Sequence, residues 1–323
     1  ESNSVRELIE DYNALAIDLK RVKIHMPADM NVTSAMQEIA EELTDYEQCL
    51  CIVNTRKECR ELYKNMPEDT LHLSRMMCTS HIMKTIEEIK QKLKNGESVR
   101  VVSTQLIEAG VDVDFPVVYR AFAGLDSIAQ SAGRCNREGK LNLEGKLGIT
   151  KVFIPEKPVP PGLMRYGADT LKELLYLNNE GDYLSPEMFS KYFNSFYSRI
   201  PNFDKADIKN TLIRDAMEMK FQFATAARNF RLIDNNGTQS ILVAYDEGAE
   251  LIEMFKQKGP EPWLMRRLQQ YSVSVNRNDF DEIARMQRIE QVHGCYVQAD
   301  AWLYNSKVGI TLGDEWSEEI LMS

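Results

Sequence analysis

With 323 residues, 43% of them hydrophobic, the chain can bury a full core and is long enough for two domains of about 100–200 residues each. Its formal net charge of −10 is spread evenly: 19 Lys and Arg stand against 24 Asp and Glu in residues 1–150, and 20 against 25 beyond. Neither half therefore carries the cationic surface of a free-standing nucleic-acid binder. Any strand contact has to come from local helix ends, backbone amides and hydroxyls, with a more basic partner sharing the strand. No apolar run of about 18 residues and no signal-like opening occurs, so no membrane partner and a cytoplasmic location are expected. Six cysteines without C-x-x-C spacing and four histidines predict reduced thiols and no metal site. A start at Glu1 rather than Met suggests a piece of something longer.

After a polar lead-in, Ser34 with Gln37 reads as a capping box, and Met36, Ile39, Ala40 and Leu43 then share one helical face. The apolar run Cys49 to Val53 is of buried-strand type; Arg56 to Met66 reads as a helix closed by Pro67, and Thr70 to Leu73 as a strand. A helix from Ser80 carries Ile82, Ile86, Ile89 and Leu93 and stops at Asn95-Gly96, directly before a strand from Val99 to Ser103. Val117 to Ala121 is a further strand. Asp126 is expected to cap a helix running through Arg134, and Lys151 to Ile154 closes the series. Strands separated by helices of this length give a parallel sheet covered on both faces, with ligands beyond the carboxyl ends of its strands.

Proline density at Pro155 to Gly162 marks a stiff connector. Leu163 to Gly181, Ser185 to Phe196 and Asp204 to Lys220 read as helices. A hairpin follows, with Phe230 to Asp234 and Gln239 to Tyr245 around Asn235-Asn236-Gly237. Leu251 to Lys258 and Pro262 to Gln270 are helical, Tyr271 to Val275 alternates as a strand, and the tail from Gly294 suggests short strands and turns. The expected architecture is an α/β parallel-sheet domain with helices on both faces plus a smaller mixed α+β C-terminal domain.

The most informative stretch is Q-x-x-G-R-x-x-R, Gln130 to Arg137, whose Arg134 and Arg137 fall one helical turn apart. Two guanidiniums on one side of a glycine-marked helix suit a strong anion, a nucleotide triphosphate above all, and in phosphoryl transfer they offset the charge developing on the transferred group. Gly133 permits close backbone approach, and Gln130 is placed to orient a water or touch a facing domain. The competing expectation is an exposed helix whose arginines pair with Glu138 and its neighbours. In S-T-Q-L-I-E-A-G-V-D-V-D, Ser103 and Thr104 end a strand and open a short helix suited to phosphate oxygens. Asp112, two residues past Gly110, can reach a ribose hydroxyl, although with Asp114 it also reads as a turn before Pro116.

STQLIEAGVDVDFP and QSAGRCNREGK resemble motifs V and VI of superfamily 2 helicases, and their wording is similar to the helicase-nuclease of type I CRISPR systems over about its C-terminal half. LCIVNTR is similar to motif IV, and LHLSR to the strand-end segment that lies along single-stranded DNA. The resemblance implies a second RecA-like domain over residues 1–155 with its lead-in, a helical linker region over 156–220, and a C-terminal accessory domain over 221–323. It places Gln130, Arg134 and Arg137 at ATP, Gly110 and Asp112 at the nucleotide edge, and Ser103, Thr104, Asn54, Thr55, Ser74 and Arg75 near DNA phosphates. Segments FRLID and LQQYSV, residues 230–234 and 268–273, are similar to the type I-C member. Trp263, Tyr271 and Trp302 are expected mainly in the core, with base stacking as the other use. No G-x-x-x-x-G-K-[ST], D-E-x-H box or histidine-aspartate nuclease motif occurs. The resemblance thus implies ATP and Mg bound mainly by an absent first RecA-like domain, and a fragment inactive alone. The implied partners are single-stranded DNA, the N-terminal helicase/nuclease half, a CRISPR surveillance complex and an inhibitor protein. The alternatives are the same half of another superfamily 2 DNA or RNA helicase, and an inert protein-binding scaffold.

Overall fold

The computed structural model describes residues 8–177, 181–230 and 237–312. The N-terminal domain comprises α1 (Tyr12–Asp18), β1 (Val22–His25), α2 (Met36–Thr44), β2 (Gln48–Ile52), α3 (Arg56–Lys64), β3 (Leu71–Leu73), α4 (Thr79–Asn95), β4 (Val99–Ser103), β5 (Val117–Ala121), α5 (Leu125–Ala132), α6 (Lys140–Leu143) and β6 (Gly148–Phe153). Its six strands lie in the order β1-β6-β5-β2-β4-β3 and every pair is parallel. Alternation along each strand sends side chains to both covered faces. Cys49, Cys51, Val53 and Tyr119 pack with Leu43 and Leu62 from α2 and α3, while Leu50, Ile52 and Val118 pack with Ile89 of α4 and Ala132 of α5. Truncating a side chain as enclosed as Leu50 to Ala costs about 2–5 kcal/mol.

Strand β1 was not expected; it pairs with β6 in the register Val22–Gly148 to His25–Lys151. The lead-in also contains α1, capped by Asp11, whose carboxylate accepts from Ala14 N at 2.8 Å. The expected box at Ser34 and Gln37 is displaced by one residue. Ser34 is drawn into a parallel bridge with Pro155, so Ala35 becomes the cap residue and the Glu38 carboxylate accepts its N–H at 3.2 Å. Asp126 is likewise inside its helix, since Gly124 is the extended cap residue of α5. Gly124 is fixed by crowding: a Cβ there would lie 2.4 Å from the Tyr192 hydroxyl and 3.3 Å from the Gly167 α-carbon.

The region expected as a linker contributes α7 (Leu163–Leu177) and α8 (Pro186–Ser198). Leu171, Leu175 and Tyr192 share a core with Phe122, Leu125, Ile128 and Val152, so both helices are covered by the first domain. The helix expected over 204–220 is shorter, running continuously over 208–217 with a π turn, Asn210–Arg214, ahead of α9 (Asp215–Met217), and α10 (Phe223–Asn229) comes after it.

The C-terminal domain holds β7 (Thr238–Leu242), α11 (Gly248–Lys258), α12 (Pro262–Leu268), β8 (Ser272–Asn276), α13 (Arg277–Arg285), β9 (Ile289–Val292), β10 (Cys295–Gln298), β11 (Tyr304–Asn305) and β12 (Gly309–Ile310). Its main sheet has the order β8-β7-β10-β9. Apart from Phe230, the first arm of the expected hairpin lies outside the described residues; the edges of β7 are taken by β8, antiparallel, and β10, parallel. Tyr271 is buried in this core, whereas Trp263 and Trp302 are exposed, contrary to the expected core role.

The domains share a core, because Met76 and Cys78, just past β3, are buried among the C-terminal hydrophobics. Tyr304 Oη accepts from Cys78 N at 2.9 Å and sits 2.9 Å from His81 Nδ1; Ile310 N donates to Met76 O at 2.8 Å and Arg60 Nη2 to Ile310 O at 2.9 Å. All six cysteines are free thiols. Among the described residues no helix is long and apolar enough to cross a membrane.

Candidate functional site

The expected site residues divide between two ends of the sheet: the nucleic-acid candidates lie at the carboxyl ends of β2, β3 and β4, whereas the arginine turn after α5 pairs with Phe115 and Arg21, ahead of β5 and β1. Asn54 and Thr55 follow β2, Ser74 and Arg75 follow β3, Ser103 and Thr104 end β4, and the arginines follow α5. The arginines differ from expectation in one respect: α5 stops at Ala132, so both stand in the turn after the helix. Gly133 closes the helix. Phe115 N then donates to Arg134 O and Asn136 N to Phe115 O, each at 2.9 Å, drawing the chain into extended pairing beside β5.

Both guanidiniums turn onto one loop, residues 107–112. Arg134, only 8% exposed, donates from Nε to Ile107 O at 2.9 Å and from Nη2 to Glu108 O at 2.6 Å, which commits two of its three nitrogens. Burial, and then the Arg137 charge, lower its pKa from the ordinary arginine value. Arg137 is exposed; its Nε forms an ion pair with Asp112 Oδ1 at 2.7 Å and its backbone N–H donates to Asp114 Oδ1 at 2.6 Å. The pairing with Glu138 does not form, because Lys140 holds that carboxylate at 2.6 Å. Gly110 takes φ +75°, which favours glycine, and its α-carbon faces open space. Gln130 is exposed on α5. The segments around Gly110–Asp112 and Arg134–Arg137 are thus one unit.

The nucleic-acid candidates divide sharply. Ser103 is enclosed, with Oγ donating to Thr104 O at 2.8 Å, and Ser74 is enclosed, with Oγ accepting from Met76 N at 3.2 Å. Thr104 is buried ahead of a three-residue 3-10 turn, Gln105–Ile107, and makes no side-chain capping bond. Thr55 caps α3, accepting from Glu58 N at 3.1 Å and donating to Glu58 Oε2 at 2.9 Å. Arg75 alone of the set is fully on the surface. Close to it, Thr55, Arg56, Arg60, Lys64 and Met76 line one side of a cavity of about 900 Å³ between α3 and α13.

Two residues escaped the sequence reading. Arg120 is fully buried on β5: Nε lies 2.8 Å from Glu108 Oε1, while Nη1 donates to Asn54 Oδ1 at 2.6 Å and to Ala121 O at 2.7 Å. The Glu108 contact is an ion pair rather than an aligned hydrogen bond. Burial raises the Glu108 pKa and the Arg120 cation opposes that shift. The available signal was an arginine inside the apolar strand V-V-Y-R-A, which cannot be buried there without a partner.

Residues 45–140 match the family model of the C-terminal region of the CRISPR-associated nuclease/helicase Cas3. The Cas3 nuclease/helicase of Methanothermobacter thermautotrophicus is 30% identical over 113 residues, 34% of this chain and 13% of that protein. In fold, the chain is similar to the structure described as T. fusca Cas3-ATP, with a TM-score of 0.58 at 15% identity, covering 91% of this chain and 42% of that one. It is also similar to a chain of a CRISPR RNA-guided surveillance complex, pre-nicking, with a TM-score of 0.52 at 16% identity, covering 91% and 44%. The chain spans less than half the length of those structures. The parallel-sheet domain is RecA-like in fold, and residues 45–140 carry the likeness to the C-terminal region of Cas3.

Proposed function

We propose that the chain is the C-terminal half of an ATP-dependent, single-stranded-DNA-translocating helicase-nuclease of CRISPR interference, of the type I-C kind. It completes a composite ATPase site rather than forming one. The observation that carries this reading is the convergence of Arg134 and Arg137 on the 107–112 loop. ATP and Mg are held mainly by the first RecA-like domain in the N-terminal half, which is the first partner. Single-stranded DNA, a surveillance complex and an inhibitor protein are the others.

In this reading Arg137 releases Asp112 for a phosphate oxygen, and Asp112 turns to the ribose edge beside Gly110. Arg134 keeps its two carbonyl bonds and offers its remaining nitrogen, Nη1, to a charged acceptor, a stronger partner for a guanidinium. Gln130 faces the opposing domain. Arg75, with Thr55 and Thr104 behind it, faces the strand; Asn54, Ser74 and Ser103 shape those loops and reach phosphate only through their backbone. A bound nucleotide would supply the phosphoryl group, and its magnesium the positive charge beside it.

The test combines this chain with the polypeptide carrying the P-loop half and measures DNA-stimulated ATP hydrolysis. Arg134→Ala and Arg137→Ala are each expected to lower kcat by about 10³-fold or more. Hydrolysis by the chain alone, or unchanged kcat in both variants, overturns the reading.

A further inference from the structure

The Arg120–Glu108 pair lies where the three site segments meet. From Glu108, one arm leads to the arginine turn: Ser131 Oγ donates to Glu108 Oε1 at 3.1 Å, and Arg134 Nη2 donates to Glu108 O at 2.6 Å. From Arg120, the other arm leads to the loop after β2, through Asn54 Oδ1 at 2.6 Å. Asn54 is held in turn, donating from Nδ2 to Phe122 O and accepting on its own carbonyl from Gln105 Nε2, both at 2.9 Å. Residues 54, 105–108, 120–122 and 131–134 therefore form one hydrogen-bonded web that joins the carboxyl ends of β2, β4 and β5 to the turn after α5.

A web of this kind is not needed for stability. A buried ion pair can be replaced by apolar residues of like volume at little cost, whereas removing one charge strands the other. What a planar, five-donor fork provides is fixed geometry between groups that must keep their spacing.

We infer that Arg120 and Glu108 are positioning residues that hold the Arg134 turn in register with the strand-facing loop at Asn54, so that DNA engagement reaches the arginine. This rests on the reading under Proposed function. Neither residue touches nucleotide or DNA; each acts through Arg134 or Asn54. Asn54→Ala is expected to lower DNA-stimulated kcat.

The test uses the complex with the P-loop half and two designs. Arg120→Met with Glu108→Leu removes both charges together and keeps the packing. Arg120→Lys keeps the charge beside Glu108, but its single ammonium lacks the fork that spans Glu108 and Asn54. Both are expected to lower DNA-stimulated kcat by about 10- to 100-fold while KM for ATP stays within about threefold, the pattern of a misplaced group rather than lost binding. Should the double variant fail to unfold cooperatively, Arg120→Lys decides alone. A folded Arg120→Lys complex with wild-type kcat and DNA stimulation, alongside an inactive Arg134→Ala, overturns the inference and leaves the functional reading intact. A wild-type complex that hydrolyses no ATP overturns both.

Discussion

Gly309→Ala is expected to loosen the C-terminal domain from the parallel-sheet domain. Gly309 sits at φ +82°, and an added Cβ would lie 2.2 Å from Met76 O, 2.5 Å from Met76 C and 2.7 Å from Met77 N. All three atoms are backbone, so no rotamer change relieves the clash, and the two segments must part by about 1 Å to restore normal contact. That parting breaks the bond from Ile310 N to Met76 O and weakens the one from Arg60 Nη2 to Ile310 O, at about 0.5–1.5 kcal/mol each. The left-handed backbone adds about 1–2 kcal/mol for alanine. The sum is about 2–5 kcal/mol. Gly96→Ala is the control: its φ is +71° but nothing lies within 4 Å of the new Cβ, so it is expected to cost about 1 kcal/mol. Urea unfolding followed by tryptophan fluorescence reads the difference, since Trp263 and Trp302 both belong to the C-terminal domain. Equal destabilisation by the two variants refutes the reasoning.

Buried His72, with neither ring nitrogen partnered, has its pKa pushed down by burial to about 3 from an ordinary 6.5. Between those values the unfolded chain holds the extra proton, so the stability His72 contributes is present above pH 6.5 and falls below it by about 1.4 kcal/mol per pH unit. His72→Phe, which keeps a ring edge against Tyr63, is expected to give a shallower decline between pH 6.5 and 4 in urea midpoints; parallel curves for the two proteins count against it. Arg75→Ala, on the surface after β3, is expected to weaken single-stranded DNA binding, reduce the log–log salt slope by about 0.7 and leave the melting temperature alone. An unchanged slope removes Arg75 from the DNA path.

What the sequence revealed was set by local periodicity. The strands at Cys49–Val53, Val99–Ser103 and Val117–Ala121 and the helix carrying Ile82, Ile86 and Ile89 follow from alternation and 3.6-residue spacing, and the motif wording located the 107–112 and 130–137 segments. Decisions between near-equal local options went wrong where a distant partner chose. Ser34 lost its cap to a bridge with Pro155, and β7 pairs antiparallel with β8, a strand some thirty residues on that no local turn announces. The proline-rich segment does break helix, yet the helices after it pack back on Phe122 and Val152, a contact no composition announces. At the site, residue identities were readable but side-chain directions were not. The turn of Arg134 onto two carbonyls and the enclosure of Ser103 depend on the 3-10 turn at Gln105–Ile107, a three-residue element below the reach of periodicity.

Because Met76 and Cys78 are shared property of two hydrophobic interiors, the short loop carrying Ser74 and Arg75 is pinned from behind by both bodies at once. If the proposed function holds, a pull on a strand at Arg75 would load the C-terminal core and the parallel-sheet core together.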